Sequence, residues 1–168
     1  DTSGSMNDYG RIELAKRAAT TVIETLTVAD RFAVVSFDST ATQLAGEDKL
    51  IRATTENKRL LIESIEQLEA GGATNFFDAF NTAFNAISNT IRSESTSGCN
   101  IAIFFMTDGT ITAGESEEAV TALVNYNTRY LSLALGRNTT VFTYSLGQNA
   151  DHTVTKNIAC STNGVWAK

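Results

Sequence analysis

The sequence is as informative for what it lacks as for what it holds. It has no proline, no internal repeat, no low-complexity tract and no linker, so nothing divides its 168 residues, a length that suits one domain with a substantial core. No apolar run approaches the roughly 20 residues a membrane helix needs, which excludes direct membrane insertion by this segment. A leader of basic, apolar and small residues is missing too. The chain opens on Asp1, and the expectation is a single domain over residues 1–168, cut at the N-terminus and also at the C-terminus. Basic residues are few, and the formal charge of −6 excludes the counterion-displacing face of a nucleic-acid binder. Cysteine is scarce: Cys99 and Cys160 are the only two and form no CxxC pair, which argues against zinc. Their placement is compatible with a disulfide or with two separate thiols. The single histidine, His152, lies in a polar segment and is expected to face solvent.

What is present alternates helix with strand. Ile12, Ala15, Ala19, Val22, Ile23 and Leu26 fall on one stripe of a helix expected over Asn7–Leu26. Arg31-Phe-Ala-Val-Val-Ser-Phe37 reads as a buried strand, paired with a weaker one over Thr40–Leu44. A helix capped by Thr54/Thr55 fits Thr55–Leu68, and Gly71-Gly72 breaks the chain. Phe76, Phe80, Phe84 and Ile87 mark the core face of a helix over Asn75–Arg92. The strand Asn100–Thr107 is apolar on both faces and should be covered on both. A helix over Ser116–Asn125, an ambiguous stretch over Tyr126–Gly136, a strand over Thr140–Leu146, a short helix over Asp151–Ala159 and a strand from Val165 complete the pattern. This is a doubly wound α/β fold, a mostly parallel sheet flanked by helices.

In such folds ligands bind beyond the carboxyl ends of the strands. Three loops take that position: Asp1-Thr-Ser3-Gly-Ser5, Gly71-Gly-Ala-Thr74-Asn75 and Thr107-Asp108-Gly109. Each alone is ordinary, since Ser, Thr, Asp and Asn at helix starts are usually caps and Asp-Gly after a strand is usually a turn. Together they offer the carboxylates of Asp1 and Asp108 and the hydroxyls of Ser3, Ser5 and Thr74. An all-oxygen set suits a hard cation, Mg²⁺ or else Mn²⁺ or Ca²⁺. It also leaves a coordination position open for an acidic side chain of a partner. Asn138-Thr139-Thr140, in an expected surface loop, is an N-glycosylation triplet.

In this order the three loops resemble the metal-ion-dependent adhesion site (MIDAS) of von Willebrand factor A domains, complete at Asp1, Ser3, Ser5, Thr74 and Asp108. The resemblance covers nearly the whole chain. It implies a helix-flanked sheet with one antiparallel edge strand, and metal-dependent protein binding without catalysis. Val141–Gln148 and Ile158–Gly164 further resemble the A domain of voltage-gated calcium channel alpha-2-delta subunits, which implies an extracellular or cell-surface parent; in such an oxidising compartment the placement of Cys99 and Cys160 is consistent with a disulfide. The family's central first strand ends at the first Asp of the motif. Its absence here implies a gap in the sheet, filled by another segment or by a second copy in a swapped dimer. It also places an amino group, with its positive charge, beside the site.

Two rival functions compete with this reading. A Mg²⁺-dependent phosphoryl-transfer enzyme with Asp1 as nucleophile needs a second acid two residues on and a cation near the phosphate. Position 3 is serine, and no Lys or Arg is expected beside Thr74 or Asp108. An intracellular scaffold of the same fold differs only in compartment.

Overall fold

The computed structural model describes residues 1–45, 48–93, 100–147 and 152–168. A 3-10 segment over Gly4–Gly10 leads into α1 (Arg11–Thr25). The expected single helix is broken here because Asp8 and Tyr9 leave helical geometry, Tyr9 with φ +54°, which is uncommon for a non-glycine residue. Next come β1 (Arg31–Phe32), β2 (Val35–Phe37), β3 (Ala41–Gln43), β4 (Ile51–Arg52) and α2 (Thr55–Glu66). They are followed by α3 (Phe76–Ser93), β5 (Asn100–Thr107), α4 (Glu117–Leu135), β6 (Asn138–Ser145), α5 (Thr153–Ser161) and β7 (Trp166–Ala167).

Strands β5, β6 and β7 form a parallel sheet, with Asn100 opposite Asn138 and Thr107 opposite Ser145. β2 pairs antiparallel with β3, and β1 with β4. The fold is the expected α/β arrangement, with its strands in three hydrogen-bonded groups among the described residues. The gap expected in the sheet is a cavity of about 610 Å³ between the segment 31–37 and β5, lined by Phe32, Val34, Ile101, Ile103 and Phe104. The core divides in the same place. Phe37, Phe76, Phe80, Phe84, Phe105 and Val141 form one cluster; Ile23, Phe32, Leu61 and Ile65 form the other.

One face of β5 departs from expectation. Ala102 and Phe104 are exposed, Phe104 by 43%. The Phe105 face packs against Phe76 and Phe80 of α3, Ala102 and Phe104 leave the other face partly open, and the strand borders the cavity. Phe104 compensates by stacking on Phe142 at 5.2 Å. The expected strand over 31–37 is split at Ala33-Val34.

Helix ends follow local chemistry. Thr54 caps α2 by accepting a hydrogen bond from Asn57 N at 3.2 Å. Replacing Thr54 with alanine should cost about 1 kcal/mol, read as a lower urea midpoint with an unchanged slope. The ambiguous stretch 126–136 belongs to α4, which ends at Gly136 in the left-handed conformation (φ +62°). Asn138 accordingly opens β6 rather than sitting in a loop, yet it remains exposed. Cys160 is exposed on α5, and Cys99 lies outside the described residues. His152 is half-buried against Trp166 (centroids 5.4 Å apart), and its Nδ1 is buried without a partner among the described residues. No helix among the described residues is long and apolar enough to cross a membrane.

Candidate metal centre

Backbone hydrogen bonds tie the three loops together before any side chain acts. Thr2 N donates to Phe37 O at 2.7 Å and Gly71 N to Thr2 O at 2.8 Å. Gly4 N donates to Gly72 O at 3.0 Å, and a side chain at position 4 would crowd that carbonyl at 3.3 Å. The second loop is tied to the third, because Thr112 N and Ala113 N both donate to Thr74 O. The Asp1 amino group donates to Met106 O at 3.1 Å, which fixes the start of the chain to the end of β5.

The side chains then converge. Asp1 Oδ1 accepts from Ser3 N at 2.7 Å, and Asp1 Oδ2 accepts from the Thr107 hydroxyl. Ser3 Oγ and Ser5 Oγ lie 3.2 Å apart, and Ser5 Oγ donates to Asp108 Oδ1 at 2.7 Å. Asp1, Ser3, Ser5 and Asp108 are thus one hydrogen-bonded set drawn from two distant segments of the chain. Ser3 and Asp108 are buried and Ser5 is exposed, so the set has a floor and an open side. Thr74 is buried and held through its backbone, its N–H donating to Thr112 Oγ1 at 2.8 Å.

The ordinary capping explanation does not account for these hydroxyls. Ser3 precedes the 3-10 segment but makes no side-chain cap hydrogen bond. At α3 the cap is Asn75, whose Oδ1 accepts from Asp78 N at 3.1 Å; the Thr74 hydroxyl is spared that role. Among the described residues no three His, Cys, Asp or Glu side chains gather as a metal-holding group. Two carboxylates with hydroxyls are the donor chemistry of a hard divalent cation rather than of zinc-type ligation.

Two features were not foreseen. Thr107, within the Thr-Asp-Gly turn, anchors Asp1, and its place on the buried face of β5 was the available signal. Arg11 lies on the site, contrary to the expectation of no Lys or Arg beside Asp108: its Nη1 is 2.5 Å from Asp108 Oδ2. The contact joins residues 97 apart in sequence, so no local pattern announces it.

Burial lowers the pKa of the Asp1 amino group from 8.0 to about 5, and the nearby Asp108 only partly opposes this.

Residues 1–110 match the family model of the von Willebrand factor type A domain. The chain belongs to that family. It is similar to the human voltage-dependent calcium channel subunit alpha-2/delta-2, 29% identical over 167 residues, which are 99% of this chain and 13% of that protein. It is also similar to human inter-alpha-trypsin inhibitor heavy chain H6, 27% identical over 98% of this chain and 12% of that protein. The chain thus spans only a small part of the curated relatives it matches. Among solved structures, a von Willebrand factor type A protein from Catenulispora acidiphila superposes with a TM-score of 0.83 at 22% identity, over 100% of this chain and 37% of that one. Proximal thread matrix protein 1 from the mussel byssus, in a form with a zinc-occupied MIDAS motif, superposes with a TM-score of 0.65 at 20% identity, over 99% of this chain and 39% of that one.

Proposed function

We propose that the domain is a metal-dependent protein-binding module whose MIDAS is complete at Asp1, Ser3, Ser5, Thr74 and Asp108. The observation that carries this reading is the hydrogen-bonded set of Asp1, Ser3, Ser5 and Asp108, whose hydroxyls serve no helix cap. These residues would hold Mg²⁺, or Mn²⁺ or Ca²⁺. When bound, such an ion supplies a Lewis-acidic position for a carboxylate from a partner protein.

The chain's own residues do the positioning. Thr107 and Ser3 N orient the Asp1 carboxylate, and Ser5 orients Asp108. The buried floor keeps water from the inner oxygens, and exposed Ser5 marks the side from which a partner approaches. Binding rather than catalysis is favoured because both Asp1 oxygens already accept hydrogen bonds, a poor arrangement for a nucleophile. The likeness to alpha-2/delta and inter-alpha-trypsin inhibitor chains supports an extracellular or cell-surface parent, in which residues 1–168 are one domain. Exposed Asn138 is then a glycan acceptor, and Cys99 and Cys160 a disulfide pair. The cavity beside β5 would take a further strand, from the same chain or from a second copy in a dimer.

The test is thermal. At Mg²⁺ about a hundredfold above its dissociation constant, stabilisation of about 2.7 kcal/mol should raise the Tm by roughly 5–10 °C, reversibly on adding chelator. A Tm indifferent to Mg²⁺, Mn²⁺ and Ca²⁺ would count against the proposal.

A further inference from the structure

Arg11 is an unusual residue to find on this site. It heads α1, where the positive end of the helix dipole disfavours a cation, and its side chain is only 14% exposed. One nitrogen, Nη1, reaches both Asp108 Oδ2 at 2.5 Å and the Ser5 carbonyl at 3.3 Å. The guanidinium lies against Gly147, where a side chain would come within 2.9 Å of Nε and Nη2. Its Cζ sits 5.2 Å from the centre of the Tyr9 ring, which is itself 92% exposed. Nε is buried and has no hydrogen-bond partner among the described residues.

An ion pair built only for stability would satisfy the donors it buries. This one leaves a donor unmet and stands at the wrong end of a helix, so Asp108 is its main favourable partner. Both Asp108 oxygens are also engaged: Oδ1 accepts from Ser5 and Oδ2 from Arg11. Any cation that takes Asp108 must take an oxygen now held, and must tolerate a second positive charge a few ångströms away or expel it. Expulsion has a route past the Tyr9 ring, which lies over the guanidinium and is itself exposed.

We infer that Arg11 is a tethered counter-cation of this site, competing with the divalent ion for Asp108 and so setting the ion concentration at which the site fills. The inference rests on the metal-binding reading and adds to it a residue that tunes affinity without being a ligand. It makes the domain a sensor with a raised threshold: neutralised by its own arginine at low divalent concentration, and competent for a carboxylate partner only once that arginine leaves.

The test is a Mg²⁺ titration by calorimetry of the wild-type chain, Arg11→Gln and Arg11→Lys, with circular dichroism confirming the fold of each. Arg11→Gln should bind Mg²⁺ about tenfold or more tightly than wild type, because a like charge has gone, while Arg11→Lys should stay near wild type. Equal or weaker binding by a folded Arg11→Gln would overturn the inference and leave the metal reading intact. Absence of binding by all three proteins would overturn both. If Arg11→Gln does not fold, the ¹⁵N signal of the wild-type Arg11 guanidinium decides. It should shift and sharpen as Mg²⁺ saturates the site, and a signal unchanged at saturation would overturn the inference.

Discussion

Asp108→Ala should destabilise the metal-free domain by about 3–5 kcal/mol, the typical cost of removing one member of a buried ion pair. The Asp108 side chain is fully buried and that of Arg11 is 14% exposed, so truncation strands a guanidinium whose Nε has no partner among the described residues. It also deprives Ser5 Oγ of its acceptor. The loss should show as a lower urea midpoint. Adding Arg11→Met should recover much of it, because the uncompensated charge then goes with its partner. A double variant as unstable as the single would show that Asp108 stabilises the loop by some route other than Arg11.

Phe105→Ala is expected to cost a similar 3–5 kcal/mol, from the core rather than the site. Phe105 stacks on Phe37 at 5.2 Å and on Phe80 at 4.5 Å, and meets Phe76 edge-on at 4.9 Å. It therefore joins β2, α3 and β5 at one point, and a cavity there cannot be filled by any one neighbour moving. Two residues further along β5 is Thr107, which holds Asp1, so the loss should also loosen the site. Phe104→Ala is the matching control on the open face: it gives up mainly its stack on Phe142, worth about 1 kcal/mol. Equal losses from the two would mean that the open face is covered in solution.

The sequence patterns that predicted structure well were those with one dominant cause. The phenylalanines of α3 recur at helical spacing and are buried as that spacing requires, and Thr54 caps α2 as its place before a polar first turn suggests. Where competing causes met, the pattern misled. The helix expected from Asn7 begins at Arg11, because Asp8 and Tyr9 turn the backbone and delay it. Tyr126, Tyr130 and Leu133 blurred the polarity of α4, because Tyr126 and Leu133 are exposed, and only Gly136 marked its end. The apolar run of β5 implied two covered faces, although Ala102 and Phe104 are exposed on one of them. In the site, loop order in an α/β chain was enough to bring Asp1, Ser3, Ser5 and Asp108 together. Arg11 was invisible because its contact is tertiary.

The central claim is that the oxygens of Asp1, Ser3, Ser5, Thr74 and Asp108 hold one divalent cation. The most direct measurement is calorimetric titration of Mg²⁺ or Mn²⁺ into the wild-type chain and into Ser5→Ala, a change confined to an exposed hydroxyl that should leave the fold intact. One ion per chain bound by wild type, with binding lost or weakened about a hundredfold in Ser5→Ala (roughly 2.7 kcal/mol), is the predicted result. Equal affinity in the two proteins, or no binding by wild type, would contradict it.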